Sequence, residues 1–314
     1  MLSQSQTIAV LFTVIAIQAF GAIYLFLRRR QARNKPRPSQ GTAIVSSTGN
    51  QSRNFEGKVV VITGGGTGLG KAMSMEMAKR GAKLVIASRN AEHLNSAADE
   101  IRALGAEVLT YPLDVRKPEE VQGMVDAAVK QFGKIDVLVN NAAGNFLVPA
   151  EKLTSNGWNA VVGIVLNGTW YCTSAVGKVM IAQGNGCILN IVANYAWSGQ
   201  PGVVHSAAAK AGVLSMTRTL AAEWGGYGVR LNAFAPGPMV TEGASANLQF
   251  NSAEAQKRIV DRIPVGRLTS PAEMAQYAAF LCSPEAAYMN GDVLTADGGQ
   301  WLPRGFMDLK DLAG

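Results

Sequence analysis

The segment Val59–Gly70 constrains the fold of this chain more than any other stretch. A run of β-branched residues, Val59–Thr63, leads directly into a glycine-rich turn, and a helix-forming sequence follows from Leu69. β-Branched residues favour strands, and glycine permits the positive φ angles of a tight turn. A strand, such a turn and a helix N-terminus together present backbone N–H groups to a phosphate. The segment therefore predicts a nucleotide-binding strand–turn–helix unit.

From Glu56 onward, short apolar segments alternate with longer segments of helical period. This alternation predicts an α/β fold, a Rossmann-type doubly wound parallel sheet with its binding site at the carboxyl ends of the strands. The absence of repeats and of a second change in composition predicts a single catalytic domain over residues 56–303, followed by a tail at 304–314. The predicted strands are Lys58–Thr63, Lys83–Ser88, Glu107–Leu113, Ile135–Asn140, Gly186–Ala193, Arg230–Ala235 and Asp292–Ala296, and the predicted helices include Glu119–Gln131, Ser155–Ile181, Val204–Trp224 and Pro271–Leu281.

The net charge of +7 comes from the N-terminal part of the chain. Residues 1–55 hold seven basic side chains and no acidic one, which leaves 22 basic against 22 acidic residues in the remainder. A domain with balanced charge gives no support to nucleic acid binding, which depends on a basic surface.

The same N-terminal part contains a candidate membrane segment. Thr7–Leu27 is 21 residues without a charge, long enough to cross a hydrocarbon core of roughly 30 Å as a helix. Three arginines follow at 28–30, which favours a cytoplasmic position for that flank. We therefore predict a bilayer anchor with its basic flank at 1–30, a flexible linker at 31–55 and a catalytic domain facing the cytoplasm. A mitochondrial presequence is the alternative, because residues 28–55 are free of acidic residues and contain Arg and Ser.

The cysteines and histidines do not suggest a metal or disulfide site. Cys172, Cys187 and Cys282 lie in apolar sequence without a C-x-x-C pair, which predicts buried, reduced thiols. His93 and His205 are far apart in the chain and form no ligand spacing, so we predict no metal site.

The residues after the second predicted strand indicate which dinucleotide binds. NAD sites usually carry Asp or Glu at this place to hold the ribose 2′-hydroxyl. This chain has Ser88 and Arg89 instead. A guanidinium suits a 2′-phosphate through its charge and its paired donors, so the sequence predicts NADPH.

Five motifs, in the expected order, resemble those of the short-chain dehydrogenase/reductase family over about residues 55–303. They are Thr63–Gly70, Asp114-Val115, Asn140–Gly144, Pro236–Pro238 and Asp297–Gly299. The resemblance implies a homotetramer. It also implies that Asp114 contacts the adenine side of the cofactor, Asn141 the adenosine ribose and Pro236–Met239 the nicotinamide. The cofactor-binding candidates are Gly64, Gly66, Thr67, Gly68, Leu69, Gly70, Ser88, Arg89, Asp114, Val115, Asn141, Lys210, Pro236, Gly237, Pro238 and Met239.

The usual catalytic residues of that family are altered here. The Tyr-x-x-x-Lys spacing contains Ser206 and Lys210, so a serine, which is a far poorer acid, replaces the tyrosine. The active-site serine is missing from Ile191–Asn194. The helix asparagine of the family corresponds to Val165, and Asn167 is displaced from that place.

One subgroup, the 2,4-dienoyl-CoA reductases, shares these departures. The segments NNAAGNF (140–146), IVLNGT (164–169), SAAAKAG (206–212) and AAEW (221–224) resemble it. In that subgroup the proton donor is a tyrosine eleven residues before the serine, which is the position of Tyr195. Asn145 matches an asparagine that binds the thioester region, and Lys210 would hold the nicotinamide ribose. The resemblance therefore implies NADPH-dependent reduction of 2,4-dienoyl-CoA to 3-enoyl-CoA, with an acyl-CoA-like substrate.

The catalytic candidates are Tyr195, Lys210, Asn145 and Ser206, and the substrate-binding candidates are Arg116, Asn145, Phe146 and Thr154. Three alternatives remain open at this stage. Tyr195 could be an aromatic pocket wall beside Trp197, the chain could be a carbonyl or 3-oxoacyl reductase of the same family, or it could be a nucleotide-binding scaffold with impaired catalysis.

Overall fold

The computed structural model describes residues 54–241 and 252–302. The predicted anchor at 1–30, nearly all of the linker at 31–55 and the tail at 304–314 lie outside the described residues. Within the described part, one helical stretch, Ser155–Gln183, is long and apolar enough to cross a membrane. Cys172, Val176 and Met180 of this stretch are buried in a core that they share with residues of the strands, so we assign the stretch to the domain core.

The described residues form one parallel sheet with the strand order β3-β2-β1-β4-β5-β6-β7. β1 pairs with β2 on one side and with β4 on the other, so the direction of winding reverses between β1 and β4. Ligands of open α/β sheets bind beyond the strand ends at such a reversal. The strands are β1 Val59–Thr63, β2 Lys83–Ser88, β3 Val108–Pro112, β4 Val137–Asn140, β5 Gly186–Ile191, β6 Val229–Pro236 and β7 Val293–Ala296.

Helices cover both faces of the sheet, as the predicted doubly wound fold requires. Residues of β1 alternate between the two cores, because successive side chains of a strand point to opposite faces. Val60 and Ile62 belong to one core and Val59 and Val61 to the other. The helices are α1 Gly68–Lys79, α2 Ala91–Ala103, α3 Pro118–Phe132, α4 Ser155–Val162, α5 Gly168–Gln183, α6 Tyr195–Ser198, α7 Val204–Trp224, α8 Ala253–Val260 and α9 Pro271–Cys282.

The predicted continuous helix over Ser155–Ile181 is wrong in one respect, because a π-helical turn at Gly163–Asn167 separates α4 from α5. The wider turn buries Val165 at 1% exposure and leaves Asn167 exposed. Asn167 is therefore displaced from the interior, as expected. Single π turns within helices are frequent at functional sites.

The three cysteines are free and buried, as predicted.

Candidate active site

The turn after β1 is closed around its glycines. Gly64 and Gly68 have φ angles of +67° and +51°, in the left-handed region that favours glycine. A Cβ on Gly70 would overlap the carbonyl oxygen of Gly64 and lie 2.6 Å from Asn141 Nδ2. Glycine at position 70 thus allows the first turn of α1 to pack directly on the strand end. The resulting cradle at a helix N-terminus fits a pyrophosphate.

Thr63 and Asn141 join this turn to the end of β4. The backbone N–H groups of Asn141 and Ala142 both donate to Thr63 Oγ1 at 3.0 Å. The side-chain amide of Asn141 donates to the carbonyl oxygens of Thr63 at 3.0 Å and of Gly64 at 3.3 Å. Asn141 therefore braces the glycine turn, whatever it contacts in a bound cofactor.

Arg89, Asp114 and Arg116 form a charged group beside the glycine turn. The backbone N–H of Gly64 donates to Ala87 O at 2.6 Å, which brings the end of β2 next to the turn. Arg89 is the first residue after that strand. Asp114 accepts from Arg116 Nε at 2.9 Å and from Arg116 Nη2 at 2.5 Å. This pairing, with a smaller contribution from the positive charge of Arg89, lowers the pKa of Asp114 to about 2.

The turn after β6 lies at the other end of the candidate cofactor site. The backbone N–H of Gly237 donates to Ala296 O at 2.8 Å, and a Cβ on Gly237 would lie 2.8 Å from Asp297 Cα. The chain then passes Met239, which is buried, and reaches Thr241, whose Cβ would lie 3.5 Å from a Cβ on Gly68. The Pro236–Met239 segment thus runs from the strand ends towards the glycine turn, which suits a dinucleotide bound across both.

Tyr195, Ser206 and Asn145 come together at the carboxyl ends of β4 and β5. The hydroxyl groups of Tyr195 and Ser206 are 3.1 Å apart, and either oxygen can be the donor. Burial raises the pKa of Tyr195, and hydrogen bonding to Ser206 and Asn145 partly offsets that rise. The side-chain oxygen of Asn145 accepts from the backbone N–H of Phe146 at 2.9 Å. The three polar side chains on which the predicted chemistry depends therefore meet in one place.

Lys210 lies one turn of α7 beyond Ser206. Its ammonium group donates to the carbonyl oxygen of Ile191 at 2.5 Å, at the end of β5. Burial lowers its pKa to about 8. The group therefore remains mostly charged at neutral pH, which suits contact with ribose hydroxyls and a nearby anion.

The candidate substrate-binding residues differ in their contacts and exposure. Phe146 stacks on His205 with ring centroids 4.5 Å apart, and His205 is fully buried. Burial lowers the pKa of His205, so the imidazole is neutral and serves as an aromatic support. Thr154 caps α4 by accepting from the backbone N–H of Gly157 at 3.1 Å. Arg116 is exposed, and its guanidinium pairs with the carboxylate of Asp114.

A buried polar network beneath the site was not predicted from the sequence. Asn140 Nδ2 donates to Thr173 Oγ1 at 2.9 Å and to Asn190 Oδ1 at 2.8 Å. Asn190 Nδ2 donates in turn to Thr217 Oγ1 at 2.8 Å. The signal available in the sequence was an asparagine inside each of two otherwise apolar strands, where a buried amide requires partners.

Comparison with known proteins gives consistent matches across the domain. A family model described as enoyl-(acyl carrier protein) reductase matches residues 64–300. A probable 2,4-dienoyl-CoA reductase [(2E)-enoyl-CoA-producing] of Bacillus subtilis is 52% identical over 250 residues, which cover 79% of this chain and 98% of the relative. A peroxisomal 2,4-dienoyl-CoA reductase [(3E)-enoyl-CoA-producing] of Danio rerio is 40% identical over 246 residues, covering 78% of this chain and 82% of the relative.

Solved structures show the same fold. A short chain dehydrogenase from Bacillus anthracis superposes with a TM-score of 0.73 at 50% identity, covering 80% of this chain and 99% of the other. Levodione reductase superposes with a TM-score of 0.77 at 35% identity, covering 80% of this chain and 100% of the other.

Proposed function

Because this chain belongs to the short-chain dehydrogenase/reductase family, we propose that it is an NADPH-dependent reductase of 2,4-dienoyl-CoA thioesters. The observation that carries the proposal is the contact between Tyr195, Ser206 and Asn145. The tyrosine stands eleven residues before the serine, as the subgroup resemblance requires. The names of the bacterial and eukaryotic relatives support the same substrate class.

The cofactor would be held by the glycine cradle at α1, by Asn141 and by the Pro236–Met239 segment, with Lys210 at the nicotinamide ribose. When bound, a reduced nicotinamide supplies the hydride that adds to the far end of the conjugated diene. Arg89 supports NADPH over NADH, because it is an exposed cation directly after β2, whose end is hydrogen-bonded to the glycine turn, and a guanidinium can pair with a 2′-phosphate.

The polar cluster would act on the thioester end of the substrate. As negative charge moves through the conjugated chain to the thioester oxygen, N–H and O–H donors from Asn145 and Tyr195 stabilise it. Tyr195 would then transfer its phenolic proton to a carbon of this dienolate. With protonation at C2 the thioester carbonyl re-forms, and the double bond that hydride addition placed between C3 and C4 remains. The positive charge of Lys210 favours the phenolate that Tyr195 leaves behind.

The position of the added proton decides the product. Protonation at C2 gives a 3-enoyl thioester, whereas protonation at C4 gives a 2-enoyl thioester. The relatives divide on this point, since the printed name of the Bacillus subtilis protein specifies the 2E product and that of the Danio rerio protein the 3E product. We propose the 3-enoyl product, because the same tyrosine would contact the thioester oxygen and C2 is the carbon bonded to the thioester carbonyl.

The proposal is tested by NADPH oxidation with a panel of 2,4-dienoyl-CoA, 2-enoyl-CoA and 3-oxoacyl thioesters, followed by chromatographic identification of the product. Turnover of the dienoyl thioester to the 3-enoyl product is the expected result. Preference for a 3-oxoacyl thioester would instead identify a carbonyl reductase. Tight NADPH binding without turnover of any substrate would identify a nucleotide-binding scaffold.

Two features of the whole chain belong to the same proposal. The segment Thr7–Leu27 would anchor the protein in a bilayer with the catalytic domain facing the cytoplasm, with mitochondrial targeting as the alternative. The domain would assemble as a homotetramer, as its family resemblance implies.

A further inference from the structure

The short helix α6 carries Tyr195 but cannot fix its own orientation. It consists of four residues, Tyr195–Ser198. Isolated helices shorter than about 12 residues are marginal in water, so a single turn depends on contacts with its surroundings. The contacts of α6 therefore decide where the phenolic hydroxyl of Tyr195 lies.

One set of contacts comes from the segment that follows β7. Asn194, the residue before Tyr195, donates from Nδ2 to Asp297 Oδ2 at 2.9 Å and to Gln300 Oε1 at 3.1 Å. Towards the other end of the same turn, Trp197 packs edge-on against Trp301 with ring centroids 5.7 Å apart. The segment Asp297–Trp301 thus contacts α6 at both ends of its single turn.

Asp297 is also fixed on its own side. It is 5% exposed, and its carboxylate accepts from the backbone N–H groups of Gly299 at 2.9 Å and of Trp301 at 3.0 Å. A carboxylate that accepts three hydrogen bonds has a defined orientation and can hold the Asn194 amide in place. The main-chain oxygen of Asn194 in turn accepts from the Ser198 hydroxyl at 3.1 Å. This bond joins the backbone of Asn194 to the last residue of α6.

We propose that Asn194 and Asp297 are positioning residues, which hold α6 so that the Tyr195 hydroxyl stays beside Ser206 and Asn145. The pair is separated by 103 residues in the chain. This proposal rests on the proposed role of Tyr195 as proton donor. It adds that the segment after β7 belongs functionally to the active site, although it contributes no group to the chemistry.

The test breaks the contact from each side. Asn194→Asp places two carboxylates face to face, and we expect turnover of the dienoyl thioester to fall about 30-fold or more, while the Kd for NADPH stays within threefold. Asn194→Ala and Asp297→Ala each remove one side chain, and their double variant completes a double-mutant cycle. If the contact positions α6, the double variant should lose no more than about threefold in turnover beyond the more damaged single variant.

Asn290→Ala is the matched control, because it removes a bridging asparagine and so lowers stability without acting on Tyr195. Asn290 also bridges two segments, accepting from Leu231 N at 2.9 Å and donating to Ala221 O at 3.0 Å. These contacts lie near the amino end of β6, away from Tyr195. The Asn290→Ala variant should have a lower Tm. Its turnover, expressed per protein molecule that binds NADPH, should equal that of the wild type.

A second measurement needs no substrate. The ultraviolet titration of Tyr195 is isolated by subtracting the curve of Tyr195→Phe, and in the neutral variant Asn194→Ala the pKa of Tyr195 should shift towards its ordinary value. An unchanged titration, or turnover that falls only in step with Tm as in Asn290→Ala, would overturn the proposal. So would losses of turnover in Asn194→Ala and Asp297→Ala that multiply in the double variant. If the wild-type protein reduces none of the thioesters, the proposed function fails, and the titration still decides the role of Asn194.

Discussion

At the scale of single residues, the surroundings of the Tyr195 hydroxyl favour its protonated form. Burial raises the pKa of this phenol, while hydrogen bonding to Ser206 and Asn145 lowers it in part. In the proposed reaction such a group would release its proton only to a strong acceptor, which the electron-rich carbon of a reduced dienoyl thioester would provide. The contact with Ser206 would then tune the donor, and the serine itself would transfer no proton to substrate.

Replacing Tyr195 tests this division of roles. Tyr195→Phe keeps the ring and removes the hydroxyl, so turnover of a dienoyl thioester should fall by about 10²–10⁴ while NADPH binding survives. Ser206→Ala should lower turnover by less than about tenfold, because only one hydrogen bond to the donor is lost. Steady-state kinetics of both variants provide the measurement. Equal damage from the two substitutions would contradict a tyrosine donor and point to Ser206.

The buried ammonium of Lys210 predicts a pH dependence of stability. Its pKa is lowered from 10.5 to about 8 in the folded protein, so between these values the unfolded chain binds more protons than the folded one. The free energy of unfolding should therefore rise as pH increases from 8, by about 2–3 kcal/mol at pH 10, from the pKa difference. The free energy of unfolding in urea is measured from pH 7 to 10 for the wild type and for Lys210→Met. The difference between the two proteins at each pH isolates the contribution of Lys210. A difference that does not change with pH would contradict the lowered pKa.

Arg89 decides the proposed preference for NADPH. Arg89→Asp removes the partner of the 2′-phosphate and adds repulsion, so the affinity for NADPH should fall about a hundredfold, or about 3 kcal/mol, with NADH much less affected. Calorimetric titration with both cofactors measures the two affinities. If both fall equally, Arg89 does not select the phosphate.

At the scale of elements, the strand–turn–helix unit depends on the absence of one side chain. Gly70→Ala would force a methyl group into the Gly64 carbonyl and Asn141, so either α1 or the turn must move. We expect a lower Tm and at least tenfold weaker binding of both NADPH and NADH. Gly226→Ala is the matched control, because its Cβ meets nothing within 4 Å, and it should leave both properties unchanged. Normal cofactor affinity in Gly70→Ala would contradict the cradle.

The elements differ in how far the sequence could predict them. All seven strands were predicted to within two residues at each end. The five strands between the edge strands β3 and β7 are largely buried, and strands buried on both faces appear in the sequence as continuous apolar runs. The π turn at Gly163–Asn167 was not predicted, because the sequence over Ser155–Ile181 shows one continuous helical period. The contact between Asn194 and Asp297 also needed the fold, because neither residue shows its partner in the sequence.

At the scale of the whole molecule, the proposal assigns membrane attachment and catalysis to different parts of the chain. If Thr7–Leu27 crosses the bilayer, the full-length protein should stay in the membrane pellet after carbonate extraction. A chain that begins at Gln51 should be recovered in the supernatant with unchanged turnover, because the described site lies entirely beyond that residue. Full-length protein released by carbonate would contradict the anchor.

The asparagines of β4 and β5 have a consequence for how the sheet assembles. Asn140 and Asn190 face each other across the pairing of β4 with β5 and share a hydrogen bond. If the strands slipped by one residue, Asn140 would lie opposite Leu189 or Ile191, and Asn190 opposite Val139 or Asn141. The hydrogen bond between the two amides would then be lost in the interior, at a cost of about 1–3 kcal/mol for each buried amide left without a partner. Apolar side chains would pack equally well in several alignments. The two amides thus favour the native register of β4 against β5 over a shifted one, and they do so before any ligand is present.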